Sequence, residues 1–283
     1  MTIVGVLHPG SMGAAVAAQA KLVGAEVLWC PTGRSSATKE RAYKSGLAAE
    51  SNLPELVDKA DVILSICPPA YAEDVALEVS THGFAGTYVD ANAISPATMA
   101  RVYAIASRGG ATVVDGSIIG SPPSDSKTPR LYLSGPEDAL ASVESLFAES
   151  AVHTHTLAGG VGRASALKLS YSSYQKTSRV LAAVSYALAR DYGVEEQLLD
   201  IAQGRATSYL AETSYIPKVA ARSWRWGPEM EEAAATLREA GLPAELAEAS
   251  AAVMSRWEDL RDSDLGIPEA IEYLHDPSES QPD

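Results

Sequence analysis

The chain has 283 residues, 46% hydrophobic and 20% charged, a globular composition that argues against a disordered or fibrous polymer. Its formal charge is −14, and residues 225 to 283 hold 15 acidic residues against 4 basic ones; nucleic acid and anionic membranes are therefore not expected as partners, and the acidic C-terminal part reads as a solvated helical surface. No run approaches the roughly 20 apolar residues of a membrane span, Thr2 to Leu7 is too short for a signal peptide, and neither Cys30 nor Cys67 stands in a metal-ligand spacing, so a cytoplasmic protein with reduced, buried thiols and no metal is expected.

In chain order, the first half alternates apolar strand-like runs with helical patterns, the signature of βαβ units on a parallel sheet. Thr2 to Leu7, Glu26 to Cys30, Asp61 to Ile66 and Thr87 to Asp90 read as strands. Between them Met12 to Val23, Ala37 to Ser45, Leu53 to Lys59, Tyr71 to Val79 and Pro96 to Ser107 read as crossover helices. Two more runs, Ala111 to Ile119 and Arg130 to Ser134, a helix over Glu137 to Glu149 and a strand near His153 to Thr156 complete the sheet. From Val161 the pattern turns helical. An unbroken segment from Val161 to Asp191, about 46 Å long at 1.5 Å per residue, reads as the connector to a helical domain. Glu195 to Gln203, Ala206 to Val219, Pro228 to Ala240 and Ala244 to Leu260 follow as helices, with a break at Gly241-Leu242-Pro243. The expected domains are 1–160 for a dinucleotide, 161–275 for substrate and dimerisation, and a disordered tail over 276–283.

The turn after the first strand carries the main chemical signal. Leu7-His8-Pro9-Gly10-Ser11-Met12-Gly13 leads into an alanine-rich helix, and Gly10 and Gly13 fill the last two glycine positions of GxGxxG, where a phosphate must come close to backbone N–H groups. His8 occupies the first, which leaves open whether it is merely tolerated in the turn or donates a hydrogen bond to phosphate. At the end of the second strand, Thr32-Gly33-Arg34-Ser35 contains no acid for a ribose 2′-OH, whereas Arg34 and the flanking hydroxyls suit a 2′-phosphate. NADP(H) is the expected cofactor.

Lys168, Tyr171, Ser172, Gln175 and Arg179 fall at i, i+3, i+4, i+7 and i+11 of the long helix, a polar stripe expected to face a cleft between the domains. Hydride transfer needs a proton donor or acceptor at the substrate, a role that suits a lysine whose pKa burial lowers. His153 and His155 share one face of a short strand without a third metal ligand, and Tyr215, Trp224 and Trp226 read as core or interface aromatics.

Taken together these residues resemble the β-hydroxyacid dehydrogenase and imine reductase superfamily, with its 6-phosphogluconate dehydrogenase-type N-terminal domain. Gly10-Ser11-Met12-Gly13 is similar to the family's GxMG turn, Ser65-Ile66-Cys67-Pro68 to its strand ending beside the nicotinamide ribose, and Asp90-Ala91-Asn92 to its DxS/N segment. Asp115-Gly116-Ser117-Ile118-Ile119-Gly120 resembles its substrate-binding segment, and Gly162 to Lys168 its GxGxxxK segment with the catalytic lysine. Ile119 and Ser172 stand where the family has serine and asparagine, and Arg225-Trp226-Gly227-Pro228-Glu229-Met230 resembles a less characterised bacterial branch with its own C-terminal helical domain.

The resemblance implies a Rossmann-type, mostly parallel sheet with a C-terminal all-helical domain joined by a long helix. It implies an NADPH-dependent oxidoreductase acting on the carbonyl or alcohol of a small substrate. Lys168, Tyr171 and Ser172 are the catalytic candidates, Cys67, Pro68 and Asn92 join the cofactor contacts, and Ser117, Ile118, Ile119, Gly120 and Gln175 are expected to touch substrate. Reduction of C=N bonds, or NADP(H) binding without turnover, are the alternatives. A homodimer is expected, because two copies can cover both sides of a helix this long.

Overall fold

The computed structural model describes residues 1–191, 193–204, 209, 212–239 and 244–275. The chain divides into two compact units, Met1–Lys168 and Leu169–Asp283. Two sequence expectations, the Gly241 to Pro243 break and the tail from Asp276, lie outside the described residues, as does most of the first half of the expected Ala206 to Val219 helix; in its second half a 3-10 turn over Thr213–Tyr215 precedes a helix that begins only at Ile216.

The first unit is one eight-stranded sheet covered by helices. Its strands are β1 (Ile3–Leu7), β2 (Glu26–Trp29), β3 (Ala48–Ala49), β4 (Val62–Ser65), β5 (Thr87–Asp90), β6 (Thr112–Ile119), β7 (Arg130–Ser134) and β8 (His153–Thr156). They lie in the order β3-β2-β1-β4-β5-β6-β7-β8. All neighbouring pairs are parallel except β6 with β7. The helices are α1 (Ser11–Leu22), α2 (Ser36–Lys44), α3 (Leu53–Lys59), α4 (Ala72–Thr81), α5 (Pro96–Arg108) and α6 (Glu137–Ser145).

Alternation along each strand feeds two cores, one on each face. Val4 and Val6 pack with Val16, Ala17 and Ala20 of α1, whereas Leu7 joins Leu56, Ile63, Val75 and Met99 on the opposite face. Winding runs outward from β1 through β2 to β3 and then restarts on the other side at β4. This reversal opens a crevice at the carboxyl ends of β1 and β4, where an open α/β sheet holds its ligands.

The long helix α7 (Arg163–Asp191, 29 residues) begins in the first unit and continues into the second. It starts two residues later than expected because Gly159, Gly160 and Gly162 all have positive φ, at 104°, 79° and 101°. The second unit adds α8 (Glu195–Gln203), α9 (Ile216–Ala220), α10 (Ser223–Glu239), α11 (Glu245–Ser255) and α12 (Ile267–Glu272). Its core gathers Val180, Ile216, Val219, Trp226, Met230, Met254 and Trp257, and the Trp257 indole N–H donates to the Ala270 carbonyl at 2.7 Å. Trp226 therefore packs the core, with Tyr215 stacked on it at 6.4 Å between ring centres, while Trp224 carries the Arg261 guanidinium at 4.1 Å. Helix α10 begins five residues before Pro228, which sits inside it. Burial of Trp226, Gly227 and Met230 on that turn outweighs the missing N–H.

Candidate functional site

Four chain segments line a cleft of about 210 Å³ that is open to solvent and begins at the carboxyl ends of β1 and β2. Leu7 and His8 come from the end of β1, Cys30, Thr32 and Arg34 from the end of β2, Asn52 to Pro54 from the start of α3, and Val75, Glu78 and His82 from α4 and its end. Four expected cofactor residues, Leu7, His8, Thr32 and Arg34, are thus brought together.

The turn is tight: the Gly10 N–H donates to the His8 carbonyl at 2.6 Å. A Cβ on Gly13 would lie 2.8 Å from that same carbonyl oxygen, so only glycine lets α1 start this close to the strand. No side chain caps α1 at Gly10, which leaves first-turn N–H groups directed at the crevice. Pro9 is buried, Ser11 exposed and Met12 half-buried against the core.

Two polar atoms on this cleft are orphans. His8 Nδ1 and Arg34 Nε are both buried and without a hydrogen bond, an arrangement that costs free energy until an acceptor arrives. His8 has φ 65°. Burial, and then the neighbouring Arg34 guanidinium, push its pKa down to about 4, so the ring is neutral at pH 7. Two unsatisfied nitrogens, one of them cationic, beside an uncapped helix N-terminus fit the phosphates of a dinucleotide. The remaining expected contacts have other partners: Ser35 caps α2 by accepting from the Thr38 N–H at 3.3 Å, the Thr32 hydroxyl donates to the Ser51 carbonyl at 3.4 Å, and Gly33 supplies a positive φ of 71°.

At the ends of β4 and β5, Asn92 is a brace. Its Oδ1 accepts from the Cys67 N–H at 2.6 Å, and its Nδ2 donates to Asp90 at 2.9 Å and to the Ser65 hydroxyl at 3.2 Å. The side chain is only 3% exposed, so it shapes the Cys67-Pro68 loop from beneath. Burial is also the largest influence on two neighbours, raising Asp90 to about 7 and the Cys67 thiol to about 12. Both cysteines are free, and both are half-buried where buried thiols were expected.

Asp115, fully buried on β6, ties the sheet to the start of α7. Its carboxylate accepts from the Ser165 hydroxyl (2.7 Å), the Gly162 N–H (2.8 Å), the Ser165 N–H (3.1 Å) and the Ser134 hydroxyl (3.1 Å). Three residues beyond Ser165, the Lys168 ammonium donates to the Ile118 carbonyl at 2.8 Å. Of the expected substrate segment, Ile118 meets Lys168 through its backbone while its side chain is in the core. Ser117 has a buried hydroxyl without a partner, Ile119 is half-buried and Gly120 is exposed.

Further along α7, in the second unit, the expected stripe divides. Tyr171 is exposed and its hydroxyl accepts from the Gln175 amide at 3.2 Å, whereas Ser172 is 2% exposed. Arg179 pairs with Glu212 at 3.0 Å and stacks on Tyr209 and Tyr215. Lys176, next to Gln175 but not part of the stripe, is buried in an ion pair with Glu229. Among the described residues no group of three or more His, Cys, Asp or Glu could hold a metal, and no helix is long and apolar enough to cross a membrane.

Sequence reasoning did not find the anchoring role of Asp115 or the cleft contacts of Asn52, Glu78 and His82. Their positions follow from strand register and loop approach, which leave no local periodicity. For Asp115 one signal was present: an acid near the end of an apolar strand with a glycine-rich helix start downstream.

Comparison with known proteins agrees with this geometry. Residues 189–257 match a domain family of unknown function (DUF1932). An uncharacterised 28.5 kDa protein of Methanothermus fervidus is 29% identical over 176 residues, covering 62% of this chain and 66% of the relative. The 3-hydroxyisobutyrate dehydrogenase of Mycobacterium tuberculosis has a similar fold, with TM-score 0.76 and 20% identity over 98% of this chain and 100% of that one. So does a reductive aminase from Aspergillus terreus in complex with NADPH, with TM-score 0.61 and 19% identity over 97% and 100%. Residues 3–159, more than half of the chain, match the NAD binding domain of 6-phosphogluconate dehydrogenase, and the chain belongs to that family.

Proposed function

We propose that this protein is an NADP(H)-dependent oxidoreductase acting on the carbonyl or alcohol of a small substrate. The observation that carries the reading is the half-buried Lys168, held by the Ile118 carbonyl at the carboxyl end of β6, on the edge of the sheet where this family binds its dinucleotide. His8, Arg34 and the uncapped first turn of α1 would hold a nicotinamide dinucleotide, which would supply or accept the hydride. Lys168 exchanges the proton with the substrate oxygen. Ile118 and Asp115 fix where its ammonium stands, the one through its carbonyl and the other by anchoring the helix that carries the lysine.

Preference for the 2′-phosphate rests on Arg34, which lines the cleft with a buried, unpartnered Nε and has no acid beside it from Trp29 to Ser36. Reduction of C=N bonds is the second reading. It is favoured by Ile119, an apolar side chain where the resembled hydroxyacid enzymes carry serine, and by Ser172, 2% exposed where they carry asparagine. NADPH is expected to raise the melting temperature more than NADH at equal concentration, and NADPH consumption with a panel of ketones and imines separates the two substrate classes. An equal or larger shift with NADH overturns the cofactor preference, and no turnover on either panel overturns the enzyme reading.

A further inference from the structure

The geometry points to His8 as the second half of a phosphate clamp with Arg34: the imidazole donates to the cofactor 2′-phosphate opposite the guanidinium, and becomes protonated as that phosphate binds. The inference rests on the NADP(H) reading and deepens it by assigning a residue that replaces the usual glycine of the turn. Three independent observations support it. First, His8 has φ 65°, a left-handed conformation that glycine adopts freely and other residues adopt only at a cost. A turn that keeps an imidazole there retains strain that a glycine would remove. Second, His8 lines the same cleft as Thr32 and Arg34 from the end of β2, and none of the residues lining that cleft belongs to α1. Third, His8 Nδ1 and Arg34 Nε are both buried and lack acceptors, and a phosphate dianion offers oxygens to both.

The proton balance follows from the groups around the ring. Arg34 from the β2–α2 loop opposes a second positive charge, and burial adds to that, so His8 is neutral in the free protein. The other ionisable groups lining the cleft are Cys30 at the end of β2 and Glu78 and His82 from α4 and its end; α3 contributes only Asn52, Leu53 and Pro54. A phosphate between His8 and Arg34 compensates the guanidinium and stabilises imidazolium, so binding takes up a proton. Affinity for NADP(H) then rises as pH falls, by up to about tenfold per pH unit for one proton. Protonation of the phosphate itself, near pH 6, acts in the opposite sense, so the informative quantity is the difference between wild type and variant.

The test measures dissociation constants of NADP⁺ and NAD⁺ at pH 6 and pH 8 for the wild type, His8→Gly and His8→Asn. Glycine relaxes the left-handed turn and asparagine tolerates it, so both backbones suit the fold. His8→Gly is expected to weaken NADP⁺ about tenfold or more at pH 6, the effect of a hydrogen bond to a charged group, and to leave NAD⁺ within about threefold. His8→Asn keeps a donor without a titrating proton and should restore part of the discrimination while retaining the flattened pH dependence of His8→Gly. Equal weakening of both dinucleotides, no weakening of either, or the same pH dependence in wild type and His8→Gly overturns the clamp. A wild type that does not favour NADP⁺ shows instead, before any variant is made, that the underlying cofactor reading is wrong.

Discussion

Replacing Asp115 with alanine removes a carboxylate that four donors share. Two of these, the hydroxyls of Ser134 and Ser165, can turn to other acceptors, but the backbone N–H groups of Gly162 and Ser165 are fixed by the start of α7. At about 1.5 to 3 kcal/mol for a hydrogen bond to a charged group, the two fixed donors lose roughly 3 to 6 kcal/mol. Relief from burying a carboxylate returns part of this, since burial pushes the Asp115 pKa up despite its four bonds. A net loss of about 2 to 4 kcal/mol is expected, or roughly 4 to 16 °C in the melting of a unit this size. Calorimetry measures the loss, and hydrogen exchange over residues 160–168 locates it. Because Lys168 lies one helical turn beyond Ser165, kcat should fall in the same variant while cofactor affinity holds. A loss below about 1 kcal/mol, with the first-turn amides of α7 still protected, would refute the assignment of Asp115 as the anchor.

Lys168→Ala should lower turnover by about 10² to 10⁴ with NADPH affinity nearly unchanged, and Lys168→Arg should not rescue it, because arginine cannot release its proton; full activity in Lys168→Ala removes the proton-transfer role. Glu229→Ala should cost about 3 to 5 kcal/mol in urea unfolding of the second unit by breaking the buried Lys176–Glu229 ion pair, whereas Lys176→Met with Glu229→Leu should be near neutral; a mild single variant refutes this. Asp90, raised to about 7 by burial, binds its proton more tightly in the native than in the unfolded state. Its contribution is therefore fully present below about pH 4 and is lost as pH rises towards 7, up to about 4 kcal/mol for three pH units. Urea midpoints of wild type and Asp90→Asn at pH 5 and 8 check this, and parallel curves would contradict it. Sedimentation at micromolar concentration should show a dimer, since Tyr174, Ile201 and Leu246 of the second unit are 68%, 69% and 64% exposed; a monomer refutes it.

The sheet was legible in the sequence because most of its strands, β1, β2 and β4 to β7, are largely apolar runs of four or more residues, and α8 matches its expected span at both ends. The strand β3 was not: two exposed alanines carry no alternation, and β2 alone recruits them. Pro228 read as a helix start because its local cost is visible and the burial that outweighs it is not. At the site, the tight turn from His8 to Gly13 was legible because its glycines stand at fixed spacing in sequence order, whereas the meeting of His8 with Arg34 in one cleft needed the pairing of β1 with β2. Asn92 was assigned to the cofactor on resemblance, but its bonds run to Asp90, Ser65 and Cys67, a network that only the pairing of β4 with β5 creates.

The two ends of the sheet also bear on how copies of this protein meet. At one end β3 offers only two residues, too few to template another strand. At the other, β8 presents His153, Thr154, His155 and Thr156, largely exposed, with the His155 ring stacked on Tyr132 of the neighbouring strand. A short border on one side and an exposed histidine-threonine border on the other disfavour edge-to-edge growth into fibres. The dimer expected from the exposed Tyr174, Ile201 and Leu246 would then join through helical surface of the second unit and leave both sheet edges free.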